Sequence, residues 1–175
     1  MKKSKLIQGT LVLSLWMIVI PIILLFVTGD VNIGWNLDFP LNMSMTLIGI
    51  FLILVGTWIL VVTNMMFVKI GKGTASPFAP PKIFVVTGIY QYVRNPMTIG
   101  IVFVILGESI TLGSFTLFCW FLFFFFGDHI ALILFEEPQL ARRFGEDYIQ
   151  YKKHVPRWVP RLKPWINLSR KETNV

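Results

Sequence analysis

The stretch MSMTLIGIFLILVGTWILVVTNMMFV, residues 43–68, carries no charged side chain. At about 1.5 Å per residue it outreaches the roughly 30 Å hydrocarbon core of a bilayer, so it reads as a spanning helix. Working outward, three more apolar runs appear. Residues 6–27 are uncharged, 97–113 are shorter and include Glu108, and 115–135 are uncharged apart from Asp128 and His129. Only Ser114 separates the last two around Gly113, which predicts a tight helical hairpin. Of 175 residues, 55% are hydrophobic and 14% charged, too apolar for an ordinary soluble domain. The predicted fold is an all-α membrane protein with four transmembrane helices. Pro21 inside the first run is tolerable in lipid, where neighbouring groups re-satisfy the freed carbonyl.

Charge then sets sidedness. The formal net charge is +7, and all 16 Lys and Arg fall within residues 2–5, 69–94 and 142–171. The segment between the first two runs holds Asp30 and Asp38 and no basic residue. Four crossings put every basic segment on one face, which the positive-inside rule assigns to the cytoplasm together with both termini. The chain is thus expected in the plasma or inner membrane as a multi-pass protein, its charges beside lipid headgroups, with no nucleic-acid partner. MKKSK before the first run imitates a secretory signal, but the run is long and lacks a small-residue cleavage site, so it reads as a retained span. Oligomeric state is not encoded in any of these features. A lone Cys119 within an apolar run supports neither a disulfide framework nor a cysteine metal site, and reads as a small buried apolar residue.

Within the spans, Gly49 and Gly56 are spaced like Gly100 and Gly107, each pair on one helix face, where small residues permit close helix contact. The loop GKGTASPFAPP, residues 71–81, is non-helical, and GKGT is no P-loop; G-x-G-x-x-G and H-E-x-x-H patterns are absent as well.

Polar groups concentrate at the inner ends of the third and fourth runs. In GIYQYVRNPMTIG, residues 88–100, Pro96 restricts Asn95 and suits a helix's first turn, so the third helix starts at Pro96 or Met97. Its positive end and Arg94 then face the cytoplasm, a site for a carboxylate or phosphate, or else a snorkelling anchor. The fourth run ends in GDHIALILFEEPQL, where His129 and Glu136 share a helical stripe with Leu132 between them. Adjacent carboxylates Glu136 and Glu137 at the membrane surface need a cation, whether Arg94 or a cationic ligand, unless they form a solvated face. Beyond them Leu140, Phe144, Tyr148 and Tyr151 form one apolar stripe with Arg142, Arg143, Lys152 and Lys153 elsewhere. That pattern predicts a C-terminal cytoplasmic amphipathic helix, lying on the inner leaflet or folded back as a lid over the polar cluster.

VVTGIYQYVRNPMTIG (85–100) followed after a hairpin by EEPQLARRFGEDYIQYKKHVPRWVPR (136–161) resembles the integral-membrane methyltransferases, the family of isoprenylcysteine carboxyl methyltransferase and the phospholipid N-methyltransferases. The expected organisation is a two-helix membrane region at 1–70, a cofactor-binding methyltransferase core at 71–161, which is the part the resemblance covers, and a cytoplasmic tail at 162–175. The resemblance implies an S-adenosylmethionine-dependent enzyme acting on a lipid-like or hydrophobic acceptor at a carboxyl, amine or thiol. Lys82, Ile83, Phe84, Val85, Gly88, Tyr90, Asn95, Pro96, Met97 and Thr98 would line the cofactor pocket and Glu136 would hold the cofactor's polar end. Arg94, with Glu137 or His129 as general base where the acceptor must lose a proton, would complete the catalytic set. Family members often have His in place of Asn95 and Tyr in place of Thr98. The isoprenylcysteine enzymes place an Arg four residues before the first Glu to bind the substrate carboxylate; Leu132 stands there, which turns the expected acceptor toward an amine, a thiol or another lipid-like group. The alternative is a non-catalytic accessory or regulatory membrane protein that keeps the fold.

Overall fold

The computed structural model describes residues 14–71 and 83–166. The basic N-terminal segment, most of the proline-rich loop and Lys82 lie outside the described residues. Among the described residues there are helices and turns and no strand. Four are apolar: α1 (Leu15–Thr28), α2 (Leu41–Lys69), α3 (Pro96–Leu112) and α4 (Phe115–Phe144). Helix α2 and helix α4 are long and apolar enough to cross a bilayer; α1 and α3 are shorter. A fifth, polar helix, α5, spans Glu146–His154.

Helices gain no hydrophobic drive toward each other in lipid, so close backbone approach must hold them. Glycine supplies it along the α2–α3 seam. A Cβ added to Gly56 would lie 2.6 Å from the Gly100 carbonyl oxygen, and one added to Gly107 would lie 2.6 Å from that of Gly49. The helices are therefore antiparallel, with Gly49 opposite Gly107 and Gly56 opposite Gly100, and the two glycine pairs seen in the sequence are each other's partners. Leu60, Ile101, Val104, Ile105 and Phe124 build the core beside the seam. Large side chains such as Phe51, Leu54, Trp58, Phe123 and Phe126 point outward, as a lipid-facing belt would. Cys119 is also exposed, a correction to its reading as buried, because it shares that outer face of α4.

Two π-turns interrupt the helices, and each ends two residues before a proline. Leu15–Val19 precedes Pro21, and Leu132–Glu136 precedes Pro138. Proline has no N–H and its ring crowds the carbonyl four residues back. The residue before each proline instead donates five residues back: Ile20 N–H to Leu15 O and Glu137 N–H to Leu132 O. The extra residue in the turn relieves the crowding and re-phases everything downstream.

At one end of the bundle, Gly113 in the left-handed region and Ser114 join α3 to α4. Asp30 fixes this turn, accepting from the Thr116 N–H at 2.8 Å and from the Ser114 hydroxyl at 3.1 Å. Those bonds, led by the Thr116 amide, hold the Asp30 carboxyl below the usual range. At the opposite end the chain turns back on itself. Gly145, at φ 56° and ψ −133°, breaks the helix between Phe144 and Glu146. Leu140, Phe144, Tyr148 and Tyr151 consequently pack inward around Phe84, so the apolar stripe faces protein as a lid would.

Candidate functional site

The site is built from the start of α3, the turn that precedes it, and the inner half of α4. Tyr90 lies in a short 3-10 turn, Gly88–Gln91, entered through Gly88 at φ +58°. A side chain on Gly88 would be strained and would press on Met66, so glycine is required there. Tyr90 is only 6% exposed, its ring stacked on Phe67, and its backbone carbonyl accepts the Tyr151 hydroxyl at 2.7 Å. Burial, reinforced by Tyr151 and Glu136, pushes the Tyr90 hydroxyl far up, so it is a neutral donor. Among the described residues no acceptor meets it.

Pro96 opens α3 at its first position, as its fixed φ favours, and Asn95 precedes it without capping the helix. The Asn95 amide nitrogen is instead buried and without a partner among the described residues, and so is Arg94 Nε. Met97 packs on the bundle core, and Thr98 faces the Asp128 carboxylate. Glu136 is exposed, has no ion pair among the described residues, and lies close enough to Tyr90 and Asp128 for its charge to act on both.

Glu137 is treated oppositely. It is buried, and three cations converge on it: Arg94 Nη1 at 3.1 Å, Arg157 Nη2 at 2.7 Å and Lys152 Nζ at 2.6 Å. Arg94 is nearly buried as well, at 9% side-chain exposure. The need for a cation beside the Glu pair is thus met by Arg94 at the second carboxylate, leaving the first free. Lys152 and Arg157 bring in α5 and the tail, whose backbone then runs along the site: Arg94 N–H donates to Pro156 O at 2.9 Å, Arg161 N–H to Tyr92 O at 3.0 Å, and Trp165 N–H to Gln91 O at 3.0 Å. His129 Nδ1 accepts the Trp158 indole N–H at 3.0 Å, which ties the tail to α4.

Of the residues singled out in the sequence, Tyr90, Arg94, Asn95, Thr98 and Glu136 come together here with polar atoms to offer. Phe84 belongs to the aromatic cluster beneath α5, Val85 is buried, and Ile83 pairs through its N–H with Gly71 O. Sequence reading missed Lys152, Arg157 and Trp158 as parts of the site, and Asp128. The only available signal for the cations was their number close behind an unpaired Glu pair; Asp128 stood in plain view as the charge that interrupts an apolar run.

Residues 44–147 match the phospholipid methyltransferase family. The chain is 40% identical to a protein-S-isoprenylcysteine O-methyltransferase of Schizosaccharomyces pombe, over 45% of this chain and 33% of that one. It is 34% identical to a protein of the same description from Xenopus laevis, over 45% of this chain and 27% of that one. The chain therefore spans about a third or less of these relatives' lengths. No solved structure matches it significantly.

Proposed function

The chain belongs to the phospholipid methyltransferase family, and from that membership we propose that it is a membrane-embedded methyltransferase using S-adenosylmethionine to methylate a hydrophobic or lipid-like acceptor. The observation that carries this reading is the gathering, at one end of an apolar bundle, of polar atoms that have no hydrogen-bond partner among the described residues: the Tyr90 hydroxyl, Asn95 Nδ2 and Arg94 Nε as donors, Asp128 Oδ2 as acceptor, with the Glu136 carboxylate, free of ion pairs among those residues, close by. Buried polar atoms without partners are costly in a folded protein, and a ligand with charges of both signs would satisfy them.

The donor set fits the cofactor. Its carboxylate suits Arg94, Asn95 and the positive end of α3, and its ammonium and sulfonium suit Glu136. When bound it supplies an activated methyl group. The protein's share is then alignment, with an effect on the order of 7–11 kcal/mol in well-oriented systems, and exclusion of water beneath α5 and the tail. Glu137 serves as the anchor that holds Arg94 in place; a carboxylate facing three cations is a poor proton acceptor. His129, its Nδ1 taken by Trp158, positions the tail. Four crossings with both termini cytoplasmic accompany the proposal, since Arg94, Lys152 and Arg157 lie at the bundle end opposite the turn carrying Asp30.

Calorimetric titration of detergent-purified protein with S-adenosylhomocysteine tests it. Glu136→Ala is expected to weaken binding by about tenfold or more, the worth of one charge-assisted hydrogen bond. Undiminished binding by that variant would remove Glu136 from the site, and no binding by folded wild type would end the methyltransferase reading.

A further inference from the structure

The segment WVPRLKPWI, residues 158–166, carries large apolar side chains that the protein leaves uncovered. Val159 is 75% exposed and Leu162 99%. We propose that this part of the tail docks into an anionic lipid leaflet: Val159 and Leu162 enter the acyl region, Lys163 meets lipid phosphates, and the docking holds the polar end of the bundle closed. The lipid in question is boundary lipid, distinct from any methyl acceptor.

The segment does not simply project from the end of the bundle. Trp158 packs on Phe125 at 5.2 Å between ring centroids and on His129 at 5.7 Å, and its indole N–H donates to His129 Nδ1 at 3.0 Å. His129 precedes Glu136 by seven residues and Phe125 precedes it by eleven, which sets them roughly 10 and 16 Å back along the apolar helix. The chain therefore dips beside α4 before the Arg161 N–H ties it to Tyr92 O. Phe125 meets the ring of Phe126 edge-on at 5.4 Å, and Phe126 belongs to the outward-facing apolar belt. Val159 and Leu162 thus extend a surface that already suits lipid, beside an indole whose apolar ring and polar tip suit the interface.

Charge selects the kind of leaflet. From Tyr148 to Ile166 there are five Lys or Arg and no acidic residue. Lys152 and Arg157 are engaged by Glu137, and Arg161 Nη1 donates to His154 O at 3.0 Å. Lys153 and Lys163 are exposed and form no ion pair among the described residues. An ammonium next to an exposed leucine is the combination that anchors a segment among anionic headgroups, the stem lying along apolar surface and the charge at the phosphates. A soluble acidic partner would satisfy the lysines but would not reach the level of Trp158 beside the belt. The same stretch of chain accepts the Arg94 N–H at Pro156 O and donates to Tyr92 O and Gln91 O, so seating it in the leaflet steadies the turn that carries Tyr90 and Arg94.

The full chain in nanodiscs of phosphatidylcholine with phosphatidylglycerol tests the docking. Leu162→Cys in a Cys119→Ser background, labelled with a polarity-sensitive fluorophore, is expected to emit blue-shifted from the free dye. It should be quenched by nitroxide-bearing acyl chains and shielded from aqueous iodide. Val159→Cys in the same background gives the reading should the first variant misfold. In unlabelled protein, hydrogen exchange of the Arg94, Arg161 and Trp165 amides should quicken at least about fivefold when phosphatidylcholine replaces the anionic lipid. Lys163→Glu with the anionic lipid present should quicken it by a similar factor, the contribution of one basic group at a charged leaflet. A label open to iodide and untouched by the lipid nitroxide overturns the proposal, and is what a soluble acidic partner would require. Exchange indifferent to lipid charge overturns it as well, as does a response to lipid charge that Lys163→Glu leaves intact, which would belong to basic residues elsewhere. Neither readout involves methyl transfer, so the outcome is independent of the methyltransferase reading.

Discussion

The α2–α3 seam and the Glu137 clamp solve one problem by opposite means. Both bring distant segments into close contact. The seam does so by deletion: glycines remove side chains until carbonyl oxygens touch the facing backbone. The clamp does so by addition, with long cations from three segments reaching one buried carboxylate. Apolar surroundings explain the split. In lipid a charge finds no solvent, so backbone proximity is the cheaper glue. At the bundle end that carries the clamp, charges can be delivered, and a carboxylate can recruit segments that share no apolar face.

The comparison breaks most severely at Glu137. Glu137→Ala leaves Arg94 buried without its partner and should cost about 3–5 kcal/mol, lowering the thermal midpoint in micelles. Hydrogen exchange is expected to quicken at residues 90–94 and in the tail, while the seam stays protected. Gly56→Ala should do the reverse. Its new Cβ would meet Gly100 O at 2.6 Å and Val104 Cγ2 at 2.9 Å, an overpacking cost of about 1–3 kcal/mol, with the loss of protection in α2 and α3. Tyr151→Phe removes the bond to Tyr90 O and should cost about 1 kcal/mol, sharpening how much of the lid's hold is polar. Lys152→Ala is expected to cost no more than about 1 kcal/mol, because Lys152 is 48% exposed and Glu137 keeps two other partners. Acid provides the mildest probe. Asp30 titrates below its ordinary value, so its contribution is whole above the unfolded carboxyl pKa of about 3.9 and fades as pH falls through the lower folded value. Below about pH 4, exchange at the α3–α4 turn should rise.

What could be read from the sequence follows the same division. Hydropathy located the apolar helices, and Pro96 placed the start of α3, because both signals are local. The glycine pairs announced close contact, though only the structure shows that they face each other. The π-turns before Pro21 and Pro138 left no trace in hydropathy; each proline was visible, but the helix's way of absorbing it depends on backbone geometry. Lys152 looked like a headgroup ligand because its sequence neighbours are basic. It reaches Glu137 instead, since the turn at Gly145 folds α5 back over a carboxylate 15 residues earlier, a relation with no periodicity to betray it.

The tail's hold on the site also dictates an order of events during synthesis. Residues 91–94 are fastened by Pro156, Arg161 and Trp165, more than sixty positions downstream. Every apolar helix can therefore be in the bilayer while the site still gapes. A ribosome stalled before Pro156, or a protease cutting there, would leave an inserted, packed bundle with its working end unfinished. Packing of the apolar helices and closure of the polar cluster can thus be separate events, and the segment 156–165 marks the difference.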